Sequence, residues 1–137
     1  MPELLRSIAG RLRNYVGDRR RAPRHGVRLA VVVSLLEERA GAPPTLAGHT
    51  LDVSETGLGV VLPSIRVGER YLAGEGQTLR VVLRLPDAQT RLYATPVRYE
   101  RLDPGDAEAG YLIGLRLTGG DERDRAAYDA YLKTLKP

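Results

Sequence analysis

Two short segments of the chain carry residue types that bind phosphates and purines. The first is residues 19–24 (Arg-Arg-Arg-Ala-Pro-Arg), and the second is residues 52–57 (Asp-Val-Ser-Glu-Thr-Gly). A guanidinium group can grip phosphate with two hydrogen bonds, reach the O6 and N7 acceptors of guanine, and stack on its ring. Lysine does only the first of these well, and the first lysine in the chain is Lys133. The arginine segment therefore favours an anionic purine ligand.

The second segment supplies complementary groups. Strand alternation predicts Asp52 and Ser54 on one face, with Leu51 and Val53 on the opposite, core-facing side. The carboxylate can accept from the N1 and N2 hydrogens of guanine, and the serine hydroxyl can serve a phosphate or fix the turn. Gly57 is expected to allow a positive φ and to leave backbone N–H groups uncovered for a ligand. Taken alone, this segment fits an ordinary Asx-type β-turn equally well.

Periodicity predicts the elements that must position these segments. Apolar residues at helical spacing indicate an amphipathic helix within residues 1–17, and an arginine-rich arm follows at 18–26. The apolar pattern then changes to the alternation typical of β-strands. Six strands are predicted, at about residues 27–35, 46–54, 57–62, 79–85, 90–101 and 111–118.

The last segment predicts a helix. Asp121 can cap its N-terminus, and its inward stripe would be Ala127, Tyr128, Tyr131 and Leu135. Six strands with short connections suggest a mainly β fold, a small antiparallel β-barrel. We therefore expect one barrel domain at residues 27–137, which includes the C-terminal helix.

The two segments together resemble the signature of the PilZ domain family, which pairs R-x-x-x-R with a downstream D/N-x-S-x-x-G. Arg20 and Arg24 fill the first motif, and Asp52, Ser54 and Gly57 fill the second. The resemblance extends over most of residues 18–135, through a strand after the arginines and a glycine-containing last strand before the closing helix.

This resemblance implies a split, six-stranded barrel that acts as a bacterial receptor for the second messenger cyclic di-GMP. It also implies that the arginine arm wraps over the ligand and that no separate cofactor is needed. Ligand binding would order the arm and signal to an unidentified downstream protein. Loss of Arg24 is expected to reduce binding severely and to leave the fold intact. An arginine directly before the first motif accompanies an intercalated ligand pair in some members, so Arg19 implies two ligand molecules per chain. Gly26 departs from the proline that many members carry before the first strand.

Composition limits the other functions. The 137 residues are 42% hydrophobic, which suits one compact domain, and cysteine is absent, which excludes thiol catalysis and suits a reducing compartment. No apolar run approaches the roughly 20 residues that span a bilayer, so a cytoplasmic protein is expected. The only histidines are His25 and His49. Alternation places His49 on the face opposite Asp52 and Ser54, and no enzyme is predicted.

Two alternatives remain open from the residues alone. Residues 1–28 hold eight arginines and two acidic residues, so this part of the chain could bind nucleic acid or an anionic membrane nonspecifically. The barrel could also serve as an adaptor without a ligand. A preference for guanine over adenine dinucleotides would distinguish the receptor from both alternatives. Nucleic acid is the less expected partner.

Overall fold

The computed structural model describes residues 23–36, 44–67, 70–72, 77–102 and 110–135. The predicted N-terminal helix lies outside these residues, as do Arg19 and Arg20 of the predicted arm. The described part is mainly β, with one C-terminal helix. The nine strands are β1 (Arg24–Gly26), β2 (Ala30–Leu35), β3 (Thr45–Ser54), β4 (Gly57–Leu62), β5 (Arg66–Val67), β6 (Arg70–Tyr71), β7 (Leu79–Arg84), β8 (Gln89–Leu102) and β9 (Gly110–Gly120).

Six of these strands close an antiparallel barrel, as the sequence predicted. Hydrogen bonding follows the order β3-β2-β7-β8-β9-β4, and β4 pairs back with β3 to complete the ring. Strand β1 pairs with β3 outside this ring, and β5 and β6 form a separate two-stranded sheet. Closure removes the exposed strand edges that an open sheet would leave.

Alternating side chains explain why these segments form the barrel wall. In β7, Leu79, Val81 and Leu83 are buried, while Arg84 at the end of the strand is exposed. This is the pattern of a strand with one face in an apolar core and the other in water. Strand β4 is different, because every one of its residues is buried. Its outward-facing Val61 belongs to a second, smaller apolar cluster with Leu102 and Leu112.

Strands β1 and β2 follow one another along β3, and Thr50 holds the junction between them. Its hydroxyl donates to the carbonyl oxygen of Val27 at 2.6 Å and accepts from the backbone N–H of Leu29 at 2.9 Å. These bonds satisfy backbone groups that would otherwise lose a partner where the strand is interrupted. The chain therefore enters the barrel along β3, and this places Arg24 beside the second motif.

The C-terminal helix, α1 (Glu122–Thr134), begins as predicted. The Asp121 side chain accepts from the backbone N–H of Asp124 at 2.8 Å, which caps the first turn. Tyr128 is completely buried and belongs to the main apolar core of the barrel. Tyr131 and Leu135 pack against that core, as does Leu132, which the predicted stripe had omitted.

Candidate functional site

The two sequence motifs meet in an ion pair between Arg24 and Asp52. Strand β1 pairs with the end of β3 so that Arg24 lies opposite Ser54 and Gly26 lies opposite Asp52. Arg24 and Asp52 are thus diagonal neighbours, close enough for long side chains to touch. One terminal nitrogen of the guanidinium lies 2.5 Å from Oδ1 of Asp52, and the two side chains are only 6% and 2% exposed. Residues 24–26, the part of the arm that the structure describes, therefore form a strand that is paired with β3 and bonded to the second motif.

Asp52 also holds the opposite strand. Its Oδ1 accepts from the backbone N–H of Gly59 at 3.1 Å, and Gly59 lies directly across from it on β4. The same carboxylate oxygen therefore links β1, β3 and β4. A carboxylate shared in this way fixes the position of the Arg24 guanidinium, because charge-assisted hydrogen bonds of this kind are short and strong.

A β-bulge corrects two expectations about which side chains share a face. The β3–β4 register shifts between Thr50 and Asp52, which leaves Leu51 as the extra residue. Leu51 packs against the small outer cluster and not, as predicted, in the main core with Val53. His49 pairs with Val61 and Asp52 pairs with Gly59, two positions away on β4. His49 therefore lies on the same face as Asp52, and its predicted placement on the opposite face was wrong.

The Ser54 hydroxyl organises the turn that joins β3 to β4. It accepts from the backbone N–H groups of Gly57 and Thr56 at 3.1 and 3.3 Å, and lies 3.3 Å from the carbonyl oxygen of Gly57, to which it donates. Ser54 is fully buried. Of the two roles that the sequence left open, fixing the turn is the one that these contacts show.

Gly57 is required for a different reason from the one predicted. Among the described residues, positive φ angles occur only at Gly110 and Gly120, so Gly57 does not use the left-handed region. A Cβ atom at position 57 would instead lie 2.6 Å from the carbonyl oxygen of Leu115 on β9. Its N–H is already bonded to Ser54 and is not left uncovered. Close approach of β9, rather than backbone conformation, explains the glycine.

The C-terminal helix contacts this same turn, which the sequence pattern did not reveal. The Tyr128 hydroxyl donates to the carbonyl oxygen of Ser54 at 2.6 Å, and a terminal nitrogen of Arg125 donates to that of Glu55 at 2.5 Å. Burial raises the pKa of Tyr128 far above its ordinary value, although nearby Arg125 acts in the other direction. The hydroxyl therefore stays protonated, and able to donate, in alkaline solution as well as at neutral pH. Apolar spacing had correctly predicted a core position for Tyr128, but spacing cannot identify a hydrogen-bond partner.

Several arginine and tyrosine side chains outside the two motifs are exposed. Arg66 and Arg98 are exposed, and the Arg66 guanidinium lies 5.5 Å from the centre of the Tyr71 ring. Tyr99 is 47% exposed and packs edge-on against Tyr111, with 6.3 Å between ring centres.

The described residues contain neither a candidate metal site nor a candidate membrane-spanning helix. No three of their histidine and acidic side chains are grouped so that they could hold a metal ion. Within the same described ranges, no helix has the length and apolar character needed to span a membrane.

Comparison with solved structures identifies the fold. The PilZ domain of YcgR from Escherichia coli with c-di-GMP superposes with a TM-score of 0.61 at 15% identity, covering 85% of this chain and 91% of that chain. The inhibitor of motility of Bacillus subtilis (MotI/DgrA) gives 0.57 at 24% identity, with 85% of this chain and 50% of that chain covered. MrkH, described as a c-di-GMP-dependent transcription regulatory factor, gives 0.59 at 17% identity and the same coverages. This chain thus spans about half the length of the last two proteins.

Comparison of sequences identifies the family. Among curated proteins there is no significant match. The family model described as the PilZ domain matches residues 18–134, which include both motifs, all six barrel strands and the C-terminal helix. The chain belongs to the PilZ domain family.

Proposed function

We propose that this protein is a cyclic di-GMP receptor that signals to a partner protein when the ligand binds. PilZ domains are ligand-binding receptors rather than enzymes, and cyclic di-GMP is the ligand that family membership and the c-di-GMP-binding neighbours support. The observation that carries the proposal for this chain is the buried contact between Arg24 of the first motif and Asp52 of the second. It brings phosphate-binding and guanine-binding residue types to one corner of the barrel.

The geometry suggests a division of roles among the six proposed ligand residues. Arg20 and Arg24 would bind phosphate and the O6 and N7 edge of guanine. The buried Asp52 would orient Arg24 and reach guanine only with movement of that pair. Ser54 and Gly57 would act by shaping the turn, since both are buried and bonded to one another.

The arm would supply the rest of the site and the response. Arg19 would bind a second, intercalated ligand molecule, so we propose two molecules per chain. The four phosphates of such a pair would offset repulsion among the arm arginines and order the segment before β1. We propose that this ordering takes place in the cytoplasm and changes the surface offered to a downstream protein.

Calorimetric titration of the full chain with cyclic di-GMP tests the proposal, with cyclic di-AMP and GMP as controls. We expect a clear preference for cyclic di-GMP and two ligand molecules per chain. Losing a hydrogen bond to a charged group costs roughly 1.5 to 3 kcal/mol, so Arg20→Ala should weaken binding about ten- to a hundredfold. Arg21→Ala is the matched control, because it removes the same charge from a neighbouring position outside the motif.

Two results would overturn the receptor function. One is the absence of cyclic di-GMP binding at millimolar concentration. The other is equal affinity for the guanine and adenine dinucleotides with a steep dependence on salt, which would indicate nonspecific attraction of a polyanion to the basic segment. A ratio of one ligand per chain would overturn only the role given to Arg19.

A further inference from the structure

The turn at residues 54–57 is held by backbone-directed bonds from distant parts of the chain. The carbonyl oxygens of three consecutive residues, Ser54, Glu55 and Thr56, all accept hydrogen bonds. Their donors are the Tyr128 hydroxyl at 2.6 Å, the Arg125 guanidinium at 2.5 Å and the backbone N–H of Leu117 at 2.9 Å. Two of the three donors are side chains of helix α1.

These bonds fix the orientation of the peptide units in the turn. In a trans peptide the N–H group points opposite to the preceding carbonyl, and the described residues contain no cis peptide bond. Anchoring the Ser54 carbonyl on the helix therefore turns the N–H of Glu55 away from the helix. The N–H groups of Thr56 and Gly57 are directed at the Ser54 hydroxyl. The helix thus contacts the turn through hydrogen bonds that do not involve the ion pair at Asp52.

The two helix side chains are themselves restrained. Tyr128 is buried in the barrel core, and the guanidinium carbon of Arg125 lies over its ring in a cation–π contact, 5.7 Å from the ring centre. Arg125 is also paired with Asp129 one turn later, at 3.3 Å. The Tyr128 hydroxyl therefore reaches the turn from a buried, fixed position, as preorganised binding sites require, whereas the Arg125 guanidinium reaches it from the surface, where its side chain is 32% exposed.

We propose that Tyr128 and Arg125 are positioning residues of the ligand site, through which helix α1 holds the 54–57 turn in the form that binds the ligand. This inference rests on the proposed function and assigns part of the site to a helix that neither motif includes. By thermodynamic reciprocity, a ligand that binds this form of the turn also stabilises the helix contacts.

Tyr128→Phe tests the hydroxyl while keeping the ring in the core. Its matched control is Tyr131→Phe, which removes the same group from the same helix at a position three residues away. A neutral hydrogen bond contributes about 0.5 to 1.5 kcal/mol, so the affinity for cyclic di-GMP should fall roughly two- to tenfold in Tyr128→Phe only. Urea unfolding first shows that both variants are fully folded at the temperature of the titration.

The role of Arg125 is tested with Arg125→Gln against Arg123→Gln. Both substitutions remove one positive charge from the first turns of α1, so they change long-range attraction to the anionic ligand equally. Weaker binding in Arg125→Gln alone supports positioning. Equal weakening in the two variants would contradict it and indicate a purely electrostatic effect.

A double-mutant cycle separates positioning from general stability. Ser54→Ala loosens the turn from within, so Tyr128→Phe should add little further loss of affinity in that background. Additive losses, or an unchanged affinity in Tyr128→Phe, would overturn the inference. The proposed function fails separately, because in that case the wild-type chain itself would not bind cyclic di-GMP.

Discussion

At the scale of single residues, Arg24 and Asp52 form a buried ion pair, whereas the sequence assigned each of them a separate role in ligand binding. Both residues were predicted as ligand contacts, with Arg24 in an arm that becomes ordered when the ligand binds. The structure places the pair inside the protein, where the two charges interact at 2.5 Å with little exposure to water. Removing one partner of a buried pair leaves an uncompensated charge, which is far more costly than losing an exposed ion pair. The expectation that loss of Arg24 would leave the fold intact therefore has to be revised.

We predict that Arg24→Ala lowers the free energy of unfolding by about 3 kcal/mol, measured by urea denaturation. Arg24→Ala combined with Asp52→Asn should recover at least half of this loss, because the amide oxygen can still accept from Gly59 without a buried charge. Neither variant should bind cyclic di-GMP with wild-type affinity. A loss well below 1 kcal/mol in Arg24→Ala would contradict the prediction, because it would show that this buried ion pair is not needed for stability.

At the scale of elements, the sequence predicted well what alternation and apolar spacing encode. The strand predicted at 79–85 forms β7, and the predicted Asp121 cap begins α1. Three features carried no such signal. Arg24–Gly26 is too short and polar to show alternation and becomes a strand only by pairing with β3. The bulge at Leu51 reversed the predicted faces of two side chains, and the reason for Gly57 depends on a strand almost sixty residues later.

The contact between β4 and β9 gives a prediction at this scale. Gly57→Ala should lower the free energy of unfolding by about 1 to 3 kcal/mol, because the added methyl group would meet the backbone oxygen of Leu115 at 2.6 Å. Gly26→Ala is the matched control. Its Cβ would be 3.8 Å from the nearest atom, so stability should be unchanged or slightly higher. Equal denaturation midpoints for the two variants would contradict the packing explanation.

At the scale of the whole molecule, the two ends of the PilZ domain meet at the seam where the barrel closes. Strand β1 brings Arg24 to β3 from the N-terminal side, and helix α1 brings Tyr128 to the adjacent turn from the C-terminal side. In the ring of six strands, the β7–β8 pair lies opposite the β3–β4 seam. Ligand binding at the seam should therefore affect both ends of the domain and leave β7, across the barrel from the seam, unchanged.

Hydrogen exchange with and without saturating cyclic di-GMP measures this pattern directly. We expect slower exchange across residues 1–26 and in α1, since ordering the arm and strengthening the helix contacts both reduce local opening. Residues 79–84 of β7, across the barrel from the seam, provide the internal control and should exchange at the same rate in both states. In Arg20→Ala, the same ligand concentration should give less protection of both ends. Equal exchange of the arm in the free and bound protein would show that the ligand does not order it, and protection of the arm without α1 would show that the helix is not coupled to the site.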